Sequence, residues 1–161
     1  MISCTFEKGN TTHLRHVVTG AIIVKDGKVL LEKRGTFNGK PILEQGKWAI
    51  IGGFLDFDEN LENGIRREVR EETGYEVDNL ELLHINDHPD RPNDSNRQNV
   101  AMIYIARPVS QVDVKTEEVT ELKWFSLDEL PPKEDIAFDQ YDELVLYKKY
   151  LKKKFPIPVV G

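Results

Sequence analysis

Cysteine is almost missing from this chain: Cys4 is the only one in 161 residues. No internal disulfide and no multi-thiolate zinc site can form from it, so the fold must be held by its core. Long apolar runs are missing too. No stretch approaches the roughly 20 apolar residues of a membrane span, and residues 1–15 lack the apolar centre of a signal peptide. The expected compartment is therefore the cytoplasm, with no membrane partner, and the Asn10 and Asn93 glycosylation patterns read as chance matches. Excess positive charge is also absent: 22 Lys and Arg against 28 Asp and Glu leave a net charge of −6. Such a chain has no broad basic surface with which to displace counterions from nucleic acid, so no nucleic-acid partner is expected. A small phosphate-bearing substrate stays open, because a bound cation reverses the local field.

What is present fits one domain with a sizeable core, residues 1–161, in which residues 1–15 are peripheral. Asp26-Gly27 between the apolar runs 21–24 and 29–31 predicts a β-hairpin. Gly, Pro and Asn scattered through residues 35–46 predict a loop. An apolar run at 48–55 is broken by Gly52-Gly53. Helical spacing starts at Glu59 or Asn60, runs to about Thr73 and stops at Gly74. Residues 75–85, 100–106 and 119–125 read as strands, with a polar loop at 86–99. A short helical turn is expected at 126–130, before Pro131-Pro132. A final amphipathic helix is expected over 139–154, with Leu144, Leu146, Tyr147 and Leu151 available to the core. Lys148, Lys149, Lys152, Lys153 and Lys154 suit its negative end. Strands and helices mix without strict alternation, which points to an α/β (more strictly α+β) domain: a mixed sheet sandwiched between α-helices.

The chemistry concentrates between residues 53 and 75. Glu68, Glu71 and Glu72 stand at i, i+3 and i+4, which at about 100° per residue places them in one sector of a helix. Three carboxylates so close repel one another. A divalent cation with hard oxygen preference removes that penalty, and Mg²⁺ is the usual occupant when phosphate oxygens complete its shell. The plain alternative is an exposed acidic face. Against it, Leu61, Ile65 and Val69 form the apolar stripe, and Glu72 falls almost on the heading of Leu61 and Ile65. A carboxylate at the edge of a core demands a partner.

The same segment resembles the Nudix box: Gly, five residues, Glu, seven residues, Arg-Glu, a bulky apolar residue, any residue, Glu-Glu, any residue, Gly, and a bulky apolar residue. Gly53, Glu59, Arg67, Glu68, Glu71, Glu72 and Gly74 fill its fixed positions. At roughly 5–8% usage per residue type, chance alone gives such a match less than about once in a million chains. The hairpin, Gly46-Lys47-Trp48 and Trp124-Phe125 are also similar to the family layout. Two positions depart from it: Ile51 replaces the usual proline before Gly-Gly, and Tyr75 replaces an aliphatic residue.

The resemblance to the Nudix (MutT-like) hydrolases implies the Nudix fold, a loop–helix–loop that holds Mg²⁺ or alternatively Mn²⁺, and hydrolysis of a nucleoside diphosphate linked to another group. It makes Glu68 and Glu72 principal metal ligands, Glu71 a ligand directly or through water, and Glu59 a support of the metal from the loop. Arg67 is expected to pair with a box carboxylate and shape the loop on the substrate side. Gly53 and Gly74 permit tight backbone, Gly53 beside the substrate. The base that accepts the attacking water's proton is Glu68 or Glu118, the latter six residues before Trp124 in a loop where relatives can place an acid facing the metals. Arg34 is placed to meet a phosphate. Trp48 and Phe54 are candidates to stack a base, against the alternative that they fill core. His84, His88, Arg91 and Arg97 surround the polar loop.

For substrate, Ile136-Ala137-Phe138-Asp139 is similar to segments of the ADP-ribose branch, and the 86–99 loop is long enough to wall a second ribose phosphate. ADP-ribose is thus the expected substrate, with a (d)NTP pyrophosphohydrolase as the alternative. A non-catalytic nucleotide-binding domain is disfavoured because the box carboxylates are all kept and the residues before the fold leave no room for a DNA-binding module. A Ca²⁺ module is disfavoured because its Asp/Asn-rich loop is lacking. Oligomeric state, a homodimer included, is left open.

Overall fold

The computed structural model describes residues 2–89, 98–114 and 116–161. Strands β1 (Ile2–Thr5) and β2 (Thr11–Leu14) pair as an antiparallel ribbon outside the main sheet. The main sheet begins with β3 (His16–Lys25) and β4 (Lys28–Arg34). Asp26 and Gly27 join them with φ of 50° and 74°. Positive φ at both positions is the turn geometry that matches strand twist, which is why Asp-Gly is a reliable signal.

Residues 35–46 are not wholly a loop, as expected from their composition. Asn38-Gly39 turns a small ribbon, β5 (Thr36–Phe37) with β6 (Lys40–Pro41). Then follow β7 (Trp48–Ala49), β8 (Ile51–Phe54), α1 (Leu61–Thr73) and β9 (Tyr75–Asn86). The strand expected at 100–106 is longer, β10 (Asn99–Gln111), and it accommodates Pro108 beside a register shift. Strand β11 (Val119–Ser126) ends in a plain turn, not the expected helical turn at 126–130, with Glu129 N–H donating to Ser126 O at 3.0 Å. A 3-10 turn at Lys133–Asp135 leads to α2 (Gln140–Lys152), and β12 (Val159–Val160) closes the sheet edge.

The sheet has eight strands. Six run in the order β11-β4-β3-β10-β9-β12, with β7 on β4 and β8 on β3. It is mixed, because β10 lies parallel to β3 and β12 parallel to β9 while the other pairs are antiparallel.

Side-chain alternation splits the core in two. Ala21, Ile23 and Leu30 pack with Ile65 and Val69 of α1; Ile22, Val29 and Leu31 pack with Leu144 and Tyr147 of α2. Helices therefore cover both faces. Leu151, expected in the core, is 48% exposed, because in that last turn of α2 it is Tyr150 that packs against the core. Among the described residues no helix is long and apolar enough to cross a membrane.

Candidate active site

Helix α1 is delimited by its caps. Asn60 Oδ1 accepts the Asn63 N–H at 2.9 Å, and Gly74 takes the left-handed conformation at φ 73°. Both are standard ways to satisfy helix-end backbone groups. A Cβ at Gly74 would sit 1.9 Å from Val112 O, so the close approach of the two backbones also requires glycine there.

Burial of Ile65 and Val69 fixes the roll of the helix, and that roll carries Glu72 inward to 8% exposure. Glu72 Oε2 accepts the Gly52 N–H at 3.1 Å. One turn earlier, Glu68 lies against Gly53, where a Cβ would fall 2.5 to 2.8 Å from its carboxyl atoms. The first box glycine thus makes room for a carboxylate. Glu71 lies at the exposed edge of the same sector: its side chain is 60% exposed, and it accepts the Arg67 Nη1 that also serves Glu68, at 3.2 Å. The sheet packs against the 68–72 edge of the helix and leaves Glu71 on the solvent side.

Arg67 is the hub of the box loop. Its Nε and Nη2 grip the two oxygens of Glu59 at 2.7 and 2.9 Å, Nη1 donates to Glu68 at 2.9 Å, and Nη2 donates to Phe54 O at 3.0 Å. Such a bidentate pair fixes geometry as well as charge. Its donors are committed within the loop and it is not in the cavity wall, so the structure gives Arg67 a shaping place rather than one against substrate. Glu59 is likewise held by Arg67, whose hydrogen bonds lower its carboxyl below the usual range.

A further carboxyl escapes sequence reasoning. Glu32, in the middle of β4, is 1% exposed and its carboxyl meets that of Glu72. A charged residue in a strand ordinarily faces water, and only the packing of α1 over this face of β4, where Leu30 meets Ile65 and Val69, buries this one. Burial raises Glu32 to about 7, opposed by Arg34. Burial also pushes Glu72 well above the usual carboxylate range, helped by the charges of Glu32 and Glu68. Glu68 is raised by burial, with Arg67 opposing. Glu118, half-buried before β11, adds its charge to those felt by Glu32 and Glu68.

Beside these carboxyls opens a cavity of about 490 Å³. Gly53, Arg34, Glu118, Phe54 and Phe138 are in its wall. Arg34 Nε donates to Leu43 O at 2.8 Å, and its guanidinium lies 5.2 Å from the centre of the Phe138 ring. Trp48 is not in that wall; it meets Phe125 edge-on at 4.9 Å and packs on the α2-side core. His84 faces α2, its Nδ1 2.8 Å from Glu143 Oε2. His88 is exposed, and Arg91 and Arg97 lie outside the described residues.

The donor set suits a hard divalent cation. Glu68, Glu71, Glu72, Glu32 and Glu118 offer carboxylate oxygens, and Glu32 Oε2 is buried with no hydrogen-bond partner among the described residues. Among those residues no three His, Cys, Asp or Glu side chains already converge as a metal cage. Glu68 is drawn to Arg67 and Glu72 to the Gly52 amide.

Residues 14–145 match the NUDIX domain. The chain is 31% identical over 113 residues to a MutT-like protein of Streptomyces ambofaciens, covering 70% of this chain and 64% of that one. It is 30% identical over 138 residues to an ADP-ribose pyrophosphatase of Methanocaldococcus jannaschii, covering 86% and 74%. A crystal structure of a NUDIX hydrolase from Nitrosomonas europaea superposes with a TM-score of 0.75 at 26% identity, covering 95% of this chain and 81% of that one. The box residues, the two-faced sheet and these matches agree: the chain belongs to the Nudix family of pyrophosphohydrolases.

Proposed function

We propose that this protein is a divalent-metal-dependent hydrolase, with Mg²⁺ as its ion and Mn²⁺ as the alternative. It cleaves the diphosphate of a nucleoside diphosphate linked to another group, ADP-ribose first among them. One juxtaposition carries the reading: the buried carboxyl of Glu72, bound to the Gly52 amide, and the half-buried one of Glu68, against Gly53, adjoin a cavity whose wall holds those two glycines, Glu118 and the Arg34 cation. The cavity's volume is within the usual range for a small-molecule site.

Glu68 and Glu72 are the residues to hold the cation, with Glu71 joining directly or through water. Glu59 acts through its grip on Arg67, which keeps Glu68 in place. A bound divalent cation supplies charge neutralisation at the phosphate oxygens and lowers the pKa of an attacking water. Glu118 takes that water's proton, with Glu68 as the other candidate. Arg34 meets a phosphate oxygen, and Phe138 and Phe54 give the apolar wall for the nucleoside.

The substrate choice is supported by the ADP-ribose pyrophosphatase relative and by the placing of Phe138 in the cavity wall. A nucleoside triphosphate is the alternative, the chain also being similar to a MutT-like protein. Product analysis separates the two. Purified protein is incubated with Mg²⁺ and, in separate reactions, ADP-ribose and each (d)NTP, oxidised dGTP included. AMP with ribose 5-phosphate at the higher kcat/KM is the expected result. Efficient release of pyrophosphate and a nucleoside monophosphate would overturn it.

A further inference from the structure

Leu30, Glu32 and Arg34 alternate along β4 and so share one face of it. Leu30 joins the core under α1, Arg34 reaches the cavity, and Glu32 sits between them, buried. The strand cannot peel away to expose Glu32, because its backbone is paired opposite Ala49 on one side and Leu122 on the other. An ion pair with Arg34 does not account for the carboxyl. Oε1 stands 3.7 Å from Arg34 Nη1, beyond hydrogen-bond range, while Arg34 Nε is committed to Leu43 O. Oε2 has no hydrogen-bond partner among the described residues. The carboxyl instead faces that of Glu72, with Glu68 and Glu118 in Coulombic reach.

A buried carboxylate oxygen needs a partner, and one aimed at other carboxylates needs a positive one. A water or an amide would satisfy Oε2 but leave the charges opposed, and a proton shared between the Glu32 and Glu72 carboxyls relieves that pair but leaves Oε2 without a partner. A cation does both. We propose that Glu32 is a metal-binding residue of this site, its free Oε2 joining Glu68 and Glu72 around the divalent ion. The inference rests on the metal-dependent reading of the box given above, and adds to the box a ligand from outside it.

Mn²⁺ is the probe, because its EPR signal reports free ion directly and independently of turnover. Wild type, Glu32→Gln, Glu32→Asp and Glu72→Gln are titrated with Mn²⁺, and thermal melts are recorded with and without the ion. Glu32→Gln is expected to melt at or above the metal-free wild type. It should bind Mn²⁺ about tenfold or more weakly, a loss of roughly 1.4 kcal/mol or more, and gain less Tm from the ion. Glu32→Asp should recover part of the affinity. Unchanged affinity in Glu32→Gln beside a loss in Glu72→Gln overturns the inference and returns Glu32 to a structural pairing with Arg34. Unchanged affinity in both overturns the metal reading of the box, and this inference with it. Should Glu32→Gln not fold, Glu32→Asp decides: weaker binding supports the assignment and wild-type binding ends it.

Discussion

Under α2, a buried polar cluster is fully matched; under α1, a second one is not. In the first, His84 Nδ1 and Nε2 lie 2.8 and 2.9 Å from Glu143 Oε2 and Gly161 O, two acceptors, so the protonated imidazole can donate from both nitrogens and its pKa is raised. Asn86 Nδ2 donates to Glu143 Oε1 at 2.9 Å and to Asp139 Oδ2 at 3.0 Å. That set locks α2 and the end of the chain to β9. In the second, the Glu32 and Glu72 carboxyls meet with the charge of Glu68 acting on both; Arg67 donates to Glu68 and the Gly52 amide to Glu72, and one Glu32 oxygen has no hydrogen-bond partner among the described residues. A matched cluster stabilises a fold by itself. A mismatched one costs stability until a ligand arrives, and so marks where a ligand belongs.

The largest effect should separate the two outright. Glu72→Gln is expected to lower kcat by about a thousandfold or more at saturating Mg²⁺, since it removes a ligand of the reaction's ion. Its Tm should hold or rise, because a buried repulsion is gone. Near-normal turnover would break the assignment of the α1 cluster. Glu118→Gln should lower kcat by roughly 10²- to 10⁴-fold with little change in KM, the signature of a lost general base. An unchanged kcat passes the role to Glu68.

Gly53→Ala tests the same cluster through backbone alone. A Cβ there displaces the Glu68 carboxyl, and a misplacement of about 1 Å is worth about 100-fold in rate. Steady-state kinetics beside an unchanged circular dichroism spectrum reads it; full activity would show that Glu68 has another working position. On the α2 side, Glu143→Ala should behave in reverse. Denaturant unfolding should show a loss of about 3 kcal/mol, as for a broken buried pair, with kcat per folded molecule intact. A kinetic defect without a stability loss would erase the contrast.

The smallest effect is in pH. His84 is raised above 6.5, first by its hydrogen bond to Glu143. Its stabilisation is therefore complete below pH 6.5 and lost as pH rises through the folded value. The carboxyls of the α1 cluster are also raised, Glu32 from 4.5 to about 7. There the native state holds more protons than the unfolded one between those values, and metal-free stability falls across that window. Melts of His84→Gln should lie furthest below wild type under acid conditions, and Glu32→Gln should flatten the metal-free slope from pH 4.5 to 7. Parallel profiles for both variants and wild type would sink the distinction.

Short-range signals were legible because their physics is short-ranged. Asp26-Gly27 has the right conformational preference for its turn, Asn60 and Gly74 cap α1, and Glu72 follows the apolar stripe by helical arithmetic. The helical turn expected at 126–130 closes only the Glu129 N–H to Ser126 O bond, although Leu127 and Leu130 pack against the core, because so few residues do not propagate a helix. The 36–41 ribbon was hidden because its two-residue strands are too short to alternate. Glu71 shows the limit of arithmetic: spacing gave its sector, but the position of the sheet decided that only Glu68 and Glu72 turn inward.

By itself the sequence determined the hairpin, the capped helix, the spacing of the box carboxylates and the membership in a family that the box carries. Each depends on residues close along the chain, whose preferences act before the chain is folded. Only the tertiary structure decided that Glu32 is buried against Glu72, that Arg67 is consumed by the loop, and that Trp48 fills core while Phe138 lines the cavity. Burial and charge proximity are properties of strand neighbours, and β4 meets β7, β11 and α1 only when the whole sheet has closed.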